Sequence, residues 1–204
     1  MKRLAAFSLM EVSFVLMIVG LLAGIVLKGQ DILESAKMDC VLQEFQRLKI
    51  ITLNYQTNYQ TLPGDDKKAA LHHGDAASNG NGNGSIDKDE YNLVWEHLHH
   101  AGFHKSNAPQ KSKIGGVYII GTNLKNLSGL WVALVGANAS GDFLPPVLTP
   151  KQAQTLKLKS DEENPQEGAF YVTEGDGVSA GECIQAGKYR LDHNRPTCII
   201  LGKI

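Results

Sequence analysis

Between Val12 and Leu27 the chain reads VSFVLMIVGLLAGIVL, sixteen residues without a charge. Counted from Phe7 to Leu27, a helix here has twenty-one residues and a length of about 31 Å at 1.5 Å per residue. That matches a bilayer core of roughly 30 Å. The rest of the 204-residue chain is ordinary and polar, with 20% charged residues overall and a formal net charge of −1. Such a length holds one globular domain and an appendage. The apolar content of 43% excludes a disordered chain. The near-neutral charge argues against a large basic nucleic-acid footprint. One end is built for lipid, the remainder for water.

Lys2 and Arg3 precede the apolar run, as in the n-region of a secretory signal peptide. Glu11 counts against that reading. An ionised carboxylate inside an apolar helix costs on the order of 2.5 kcal/mol or more unless paired, so a segment meant for insertion alone avoids one. No small-x-small cleavage site closes the run, and the polar sequence after it stays helix-compatible for about thirty residues.

The stretch AFSLMEVSFVLMIVGLLAGIVL resembles the prepilin motif of type IV pilins and type II secretion pseudopilins. The shared pattern is a short basic leader, a small residue, Phe, then F-S/T-L-x-E and an apolar run. Glu11 falls at the fifth position after the cut, which the resemblance places between Ala6 and Phe7; the family usually has Gly where this chain has Ala6. The resemblance implies removal of a 1–6 leader by a prepilin peptidase and N-methylation of Phe7. It also implies a single-pass stay in the bacterial inner membrane. Assembly machinery would then extract the subunit into a filament in the periplasm or at the cell surface. Glu11 is the implied assembly residue, neutralising the terminal amine of a neighbouring subunit's Phe7.

From Gln30 to Tyr59 there is neither Pro nor Gly, and Val41, Phe45, Leu48, Thr52, Tyr55 and Tyr59 recur at helical spacing. A single helix is therefore expected from Phe7 to Tyr59, stopped by Leu62-Pro63-Gly64-Asp65. Residues 7–34 form its transmembrane or filament-core part, and 35–204 a head that includes its carboxyl half. Cys40, beside the stripe, reads as a small buried thiol. A helical turn is expected near Lys67–Leu71 and a short helix from Glu90 to His100. Thr149-Pro150-Lys151-Gln152 opens another helix with a capping box, running to Lys159. Strands are expected at Val117–Thr122, Leu130–Val135, Ala169–Thr173 and Thr197–Ile204. The fold is then α+β: a long amino-terminal helix, half of it transmembrane, packed on a small, mostly antiparallel sheet. That is also the pilin architecture the motif implies.

Cys183 and Cys198 lie fifteen residues apart in a head exported to an oxidising compartment, where such pairs are commonly bridged. Closing the loop is worth roughly 3 kcal/mol. A zinc pair is the alternative; many pilins carry a carboxyl-terminal disulfide loop, so the resemblance agrees with the bridge. His97 and His100 fall on the wet side of their helix, and with His99 and His104 read as solvated histidines. Asp65-Asp66 and Asp161-Glu162-Glu163 read as solvated acids. No nucleophile elbow, P-loop, H-E-x-x-H or Rossmann glycine pattern occurs, so no enzyme is expected.

The twelve residues 79–90, NGNGNGSIDKDE, fit the EF-hand template. Asn79, Asn81 and Asn83 occupy the first, third and fifth places, Gly84 the turn, Ser85 the carbonyl position, Asp87 the ninth and Glu90 the twelfth. With two formal charges, calcium affinity is expected in the range of about 0.1–1 mM and the role structural. The counter-reading is a capping box formed by Asp87 and Glu90. The function expected from the motif and fold is that of a structural subunit of a type IV pilus or pilus-like filament, whose partners are the membrane and other pilin subunits. A type II secretion pseudopilin is the alternative within the class. A membrane-tethered periplasmic binding or enzymatic domain is the alternative outside it.

Overall fold

A computed structural model describes residues 8–74, 77–160 and 163–204, without the side chains of residues 26, 27, 30 and 31. The chain divides into two compact units, Met1–Lys37 and Met38–Ile204. Helix α1, Leu9–Tyr59, contributes to both.

From Val12 to Ile25, within the first unit, α1 carries no charge and is apolar on all sides. Among the described residues no helix is long and apolar enough to cross a membrane. The described apolar side chains run from Leu9 to Ile25, about 25 Å of helix, against a bilayer core of roughly 30 Å. The span expected from Phe7 to Leu27 has both ends outside the described side chains.

In the second unit Met38, Val41, Phe45, Leu48, Thr52 and Tyr55 are buried at alternating steps of three and four, the stripe expected from the spacing. They lie on a four-stranded antiparallel sheet. Its strands are β1 (Val117–Thr122), β2 (Leu130–Val135), β3 (Phe170–Glu174) and β6 (Cys198–Lys203), in the order β1-β2-β6-β3. The fold is α+β, a long helix packed on a small antiparallel sheet. The last strand in sequence is therefore internal in the sheet. Its residues CIILG are buried on both faces, which suits an unbroken apolar run. Cys198, Ile200 and the α-carbon of Gly202 face α1; Ile199 and Leu201 face a second apolar cluster with Trp131, Ala133 and Leu144.

Phe45 stands edge-on to both Tyr118 and Phe170, with ring centroids 5.3 Å apart in each pair. This approach needs Gly202: a Cβ there would lie 2.8 Å from Phe45 Cδ1 and 3.0 Å from Phe170 Cε1. Helix α4, Pro150–Lys159, opens on the expected capping box. Gln152 N–H donates to Thr149 Oγ1 at 3.3 Å, and Thr149 N–H donates to Gln152 Oε1 at 3.1 Å. Helices α2, Ala69–His73, and α3, Tyr91–His100, flank the loop that follows α1. A two-residue hairpin, β4 (Ile184–Gln185) with β5 (Lys188–Tyr189), was not legible in the sequence because neither strand reaches the length of an alternating pattern.

Candidate functional site

Two regions carry chemistry: the apolar start of α1 and the polar loop at its end. Glu11 sits in the first turn of α1, where the helix dipole favours negative charge. Beyond it Phe14, Val15, Leu16, Met17 and Ile18, which point in every direction round the helix, are each more than half exposed. Nothing lies within 4 Å of where a Cβ would stand on Gly20 or Gly24. A helix apolar on every side is stable in water only when something covers it. Ala6 and Phe7, the residues of the expected cleavage and methylation, lie outside the described residues.

At the other end, the turn Leu62-Pro63-Gly64 reverses the chain, with Gly64 at φ +94° close under Val94. Asp65 and Asp66, expected as solvated acids, are each 2% exposed. Their burial is possible because donors surround them. Asp66 Oδ2 accepts from Tyr55 Oη at 2.9 Å and lies 2.7 Å from His72 Nδ1, and Oδ1 accepts from Lys68 N–H at 2.8 Å. Tyr55 Oη has one proton, so His73 Nε2, 3.0 Å away, donates to it. A directional chain results, from His73 through Tyr55 to Asp66. Burial pushes the Asp66 carboxyl up, but the hydrogen bonds from Lys68, His72 and Tyr55 outweigh it and hold the group below its ordinary value. Burial, with His97 nearby, holds His73 down; burial and Asp66 push the Tyr55 phenol up.

His97 is also a correction. Expected on the wet side, it is fully buried, as His104 nearly is. Its Nδ1 accepts from Gly64 N–H at 2.9 Å, which places its proton on Nε2, 2.7 Å from the Ser78 carbonyl. The helix period put His97 on the wet side; the returning loop, with Gly64 and Ser78, covers that side. His99 and His100 are exposed, as expected. Cys40 is the reverse case, exposed rather than packed. The signal that could have found the buried network is Tyr55 itself, since a phenol on a core stripe needs an acceptor.

Of the six expected calcium positions, Asn79 Oδ1 accepts from Ala70 N–H at 2.9 Å, outside the loop. Asn81 Oδ1 accepts from Asn83 N–H and Asn83 Oδ1 from Ser85 N–H, each at 2.8 Å, while Asn83 Nδ2 donates to Asp87 Oδ2 at 2.8 Å. Glu90 is 4% exposed; its Oε2 accepts from Asp87 N–H at 3.2 Å, in the manner of a capping box, and Oε1 from Asn81 N–H at 2.8 Å. The loop closes on Asp65, whose two oxygens accept from Asn83 N–H at 2.8 Å and Gly84 N–H at 2.9 Å. Amide protons thus converge on a carboxylate at the loop's centre. Among the described residues no group of three or more His, Cys, Asp or Glu side chains is arranged to hold a metal ion.

Cys183 and Cys198 form a disulfide, with Cα atoms 5.3 Å apart, which ties the β4–β5 hairpin to the start of β6. Asp161 and Glu162 lie outside the described residues.

No protein-family profile and no curated protein matches this chain. Among solved structures it is similar to the major type IV pilin PilA1 from Clostridium difficile, with a TM-score of 0.40 and 18% identity, over 83% of this chain and 95% of that one.

Proposed function

We propose that this chain is a structural subunit of a pilus-like filament, assembled through the first part of α1. The observation that carries this reading is the exposed apolar surface of α1 from Leu9 to Ile25, interrupted by Glu11 alone among charged residues. Copies of the same helix, packed side by side, would bury that surface; at about 25 cal/mol per Å² this is a strong drive to associate. The prepilin-like sequence around it supports leader removal after Ala6, and a free amine on Phe7 would be a cation entering an apolar bundle. Glu11 supplies the counter-charge, since an unpaired buried charge costs several kcal/mol. Before assembly the same segment would hold the subunit in the inner membrane. In this reading the head is a disulfide-closed body built on an antiparallel sheet.

Two measurements test it. Intact mass of the cell-envelope form is expected to correspond to a chain starting at a methylated Phe7. Glu11→Ala is expected to accumulate as stable subunit without filaments. An uncut chain, or normal filaments from Glu11→Ala, would point instead to a helix used as a tether.

A further inference from the structure

The sequence 79–84 contains three consecutive Asn-Gly steps. We propose that this tract is a latent triple deamidation site that the folded head keeps closed, by engaging the nitrogen each reaction needs.

The chemistry at an Asn-Gly step is intramolecular. The glycine nitrogen, having given its proton to base, attacks the asparagine side-chain carbonyl carbon. A new N–C bond forms, the bond to the side-chain amide nitrogen breaks, and ammonia leaves with a proton taken from water. Water then opens the resulting succinimide at either of its two C–N bonds, giving aspartate or its β-linked isomer. One water enters, one ammonia leaves, and nothing is oxidised or reduced. Glycine favours the step because no Cβ obstructs the approach.

In this head each of the three nucleophiles is occupied. Gly80 N–H donates to the Asp66 carbonyl at 2.8 Å and Gly82 N–H to the Asp65 carbonyl at 3.0 Å. Gly84 N–H donates to the Asp65 carboxylate at 2.9 Å. Deprotonating a nitrogen against an oxygen acceptor, and above all against a carboxylate, is opposed electrostatically. The electrophiles are held as well: Asn79, Asn81 and Asn83 each accept a backbone N–H at Oδ1, and turning the carbonyl carbon onto the next nitrogen breaks that bond. At Gly80 there is no slack, since a Cβ would stand 2.2 Å from the Gly64 carbonyl oxygen.

Opening of the loop therefore exposes the tract to a one-way change. Deamidation of Asn83 replaces the Nδ2 donor that faces Asp87 with a second carboxylate, and two facing acids repel. The modified loop does not re-close as before, so the tract records time spent open. This inference rests on the head alone and is independent of filament assembly.

The test follows deamidation by peptide mapping in the full chain and in a free peptide of residues 77–88, both at mildly alkaline pH. In the native chain all three steps are expected to run at least about tenfold slower than in the peptide, because reaction requires local opening. Asp65→Ala is expected to accelerate Asn83 selectively, by about fivefold or more, the worth of one such hydrogen bond. Asn79 and Asn81, whose glycine partners donate to backbone carbonyls, stay slow. Hydrogen exchange of the Gly80, Gly82 and Gly84 amides in the wild-type chain needs no variant and is expected to be slow at all three. Native deamidation at the peptide rate, unprotected Gly84 exchange, or equal acceleration of all three steps by Asp65→Ala would overturn the proposal.

Discussion

Tyr55 donates its phenolic proton to Asp66 at 2.9 Å, joining the last fully buried position of the α1 stripe to the loop that reverses the chain. Both groups are buried, so neither can exchange its partner for water without local opening. The end of α1 and the entry to α2 are thereby joined through one acid.

Tyr55→Phe removes one of the donors to Asp66 and leaves the Lys68 N–H and His72 in place. It is expected to cost about 1–2 kcal/mol by denaturant unfolding, and Asp66→Ala, which strands three donors, about 3 kcal/mol. Equal stability of Tyr55→Phe and wild type would remove this bond from the account.

Stability is expected to fall with acid in two stages. His73 and His104 are held below their ordinary value of 6.5, in both cases chiefly by burial. The folded state therefore binds those protons less readily than the unfolded one, and stability is lost as pH falls from about 6.5 through the folded values. Asp66 is held below its ordinary 3.8, so its contribution persists to lower pH and goes as pH falls below that value. Melting temperature measured from pH 8 to pH 3 checks both stages; a flat curve between pH 7 and pH 5 is the contrary result.

His97→Ala leaves the Gly64 N–H and the Ser78 carbonyl buried without their partner, and is expected to cost about 2–4 kcal/mol. His97→Gln offers an acceptor and a donor of the same kinds and is expected to recover at least part of the loss. Identical melting of the two variants would mean that the ring contributes packing rather than bonds.

Cys183→Ser is expected to lower stability by about 3 kcal/mol, the value for closing a loop of about this length. Alkylation of the unreduced protein is expected to label Cys40 promptly, since it is exposed, and neither partner of the disulfide. Labelling of Cys183 or Cys198 before reduction would contradict the bridge.

The turn at Asn83–Gly84, rather than the whole 79–90 loop, is expected to owe its order to the Asp65 carboxylate. Millimolar calcium should leave the melting temperature unmoved, whereas Asp65→Ala should lower stability by about 2–3 kcal/mol and melting by about 4–10 °C. A calcium-dependent rise that Glu90→Gln abolishes is the opposite result and would favour a cation at these residues.

Much of this head is written in periodicity. The stripe from Val41 to Tyr55 and the apolar runs at Val117, Leu130 and Cys198 repeat at spacings that allow one kind of element each. The capping box at Thr149 is equally local, since its two partners are three residues apart. The assembly segment is legible for the same reason: an uncharged run and one acid define it without any contact to the rest of the chain.

The loop after α1 obeys a different rule. Asp65, Asp66 and His97 are polar residues in polar neighbourhoods, and sequence alone sends them to water, yet all three are buried. Their burial depends on donors that come from Tyr55, eleven residues before Asp66, and from Gly84, nineteen after Asp65. A buried charge is tolerated when its partners arrive together, and that coincidence exists once the helix, the turn and α3 are in place. The amino-acid sequence by itself determined the long helix, α3, α4 and the four strands of the main sheet, the disulfide candidates and the apolar segment, because each is a local or pairwise property. The tertiary structure decided which acids lie inside and that Cys40 lies outside, because burial belongs to what packs over a residue and not to the residue.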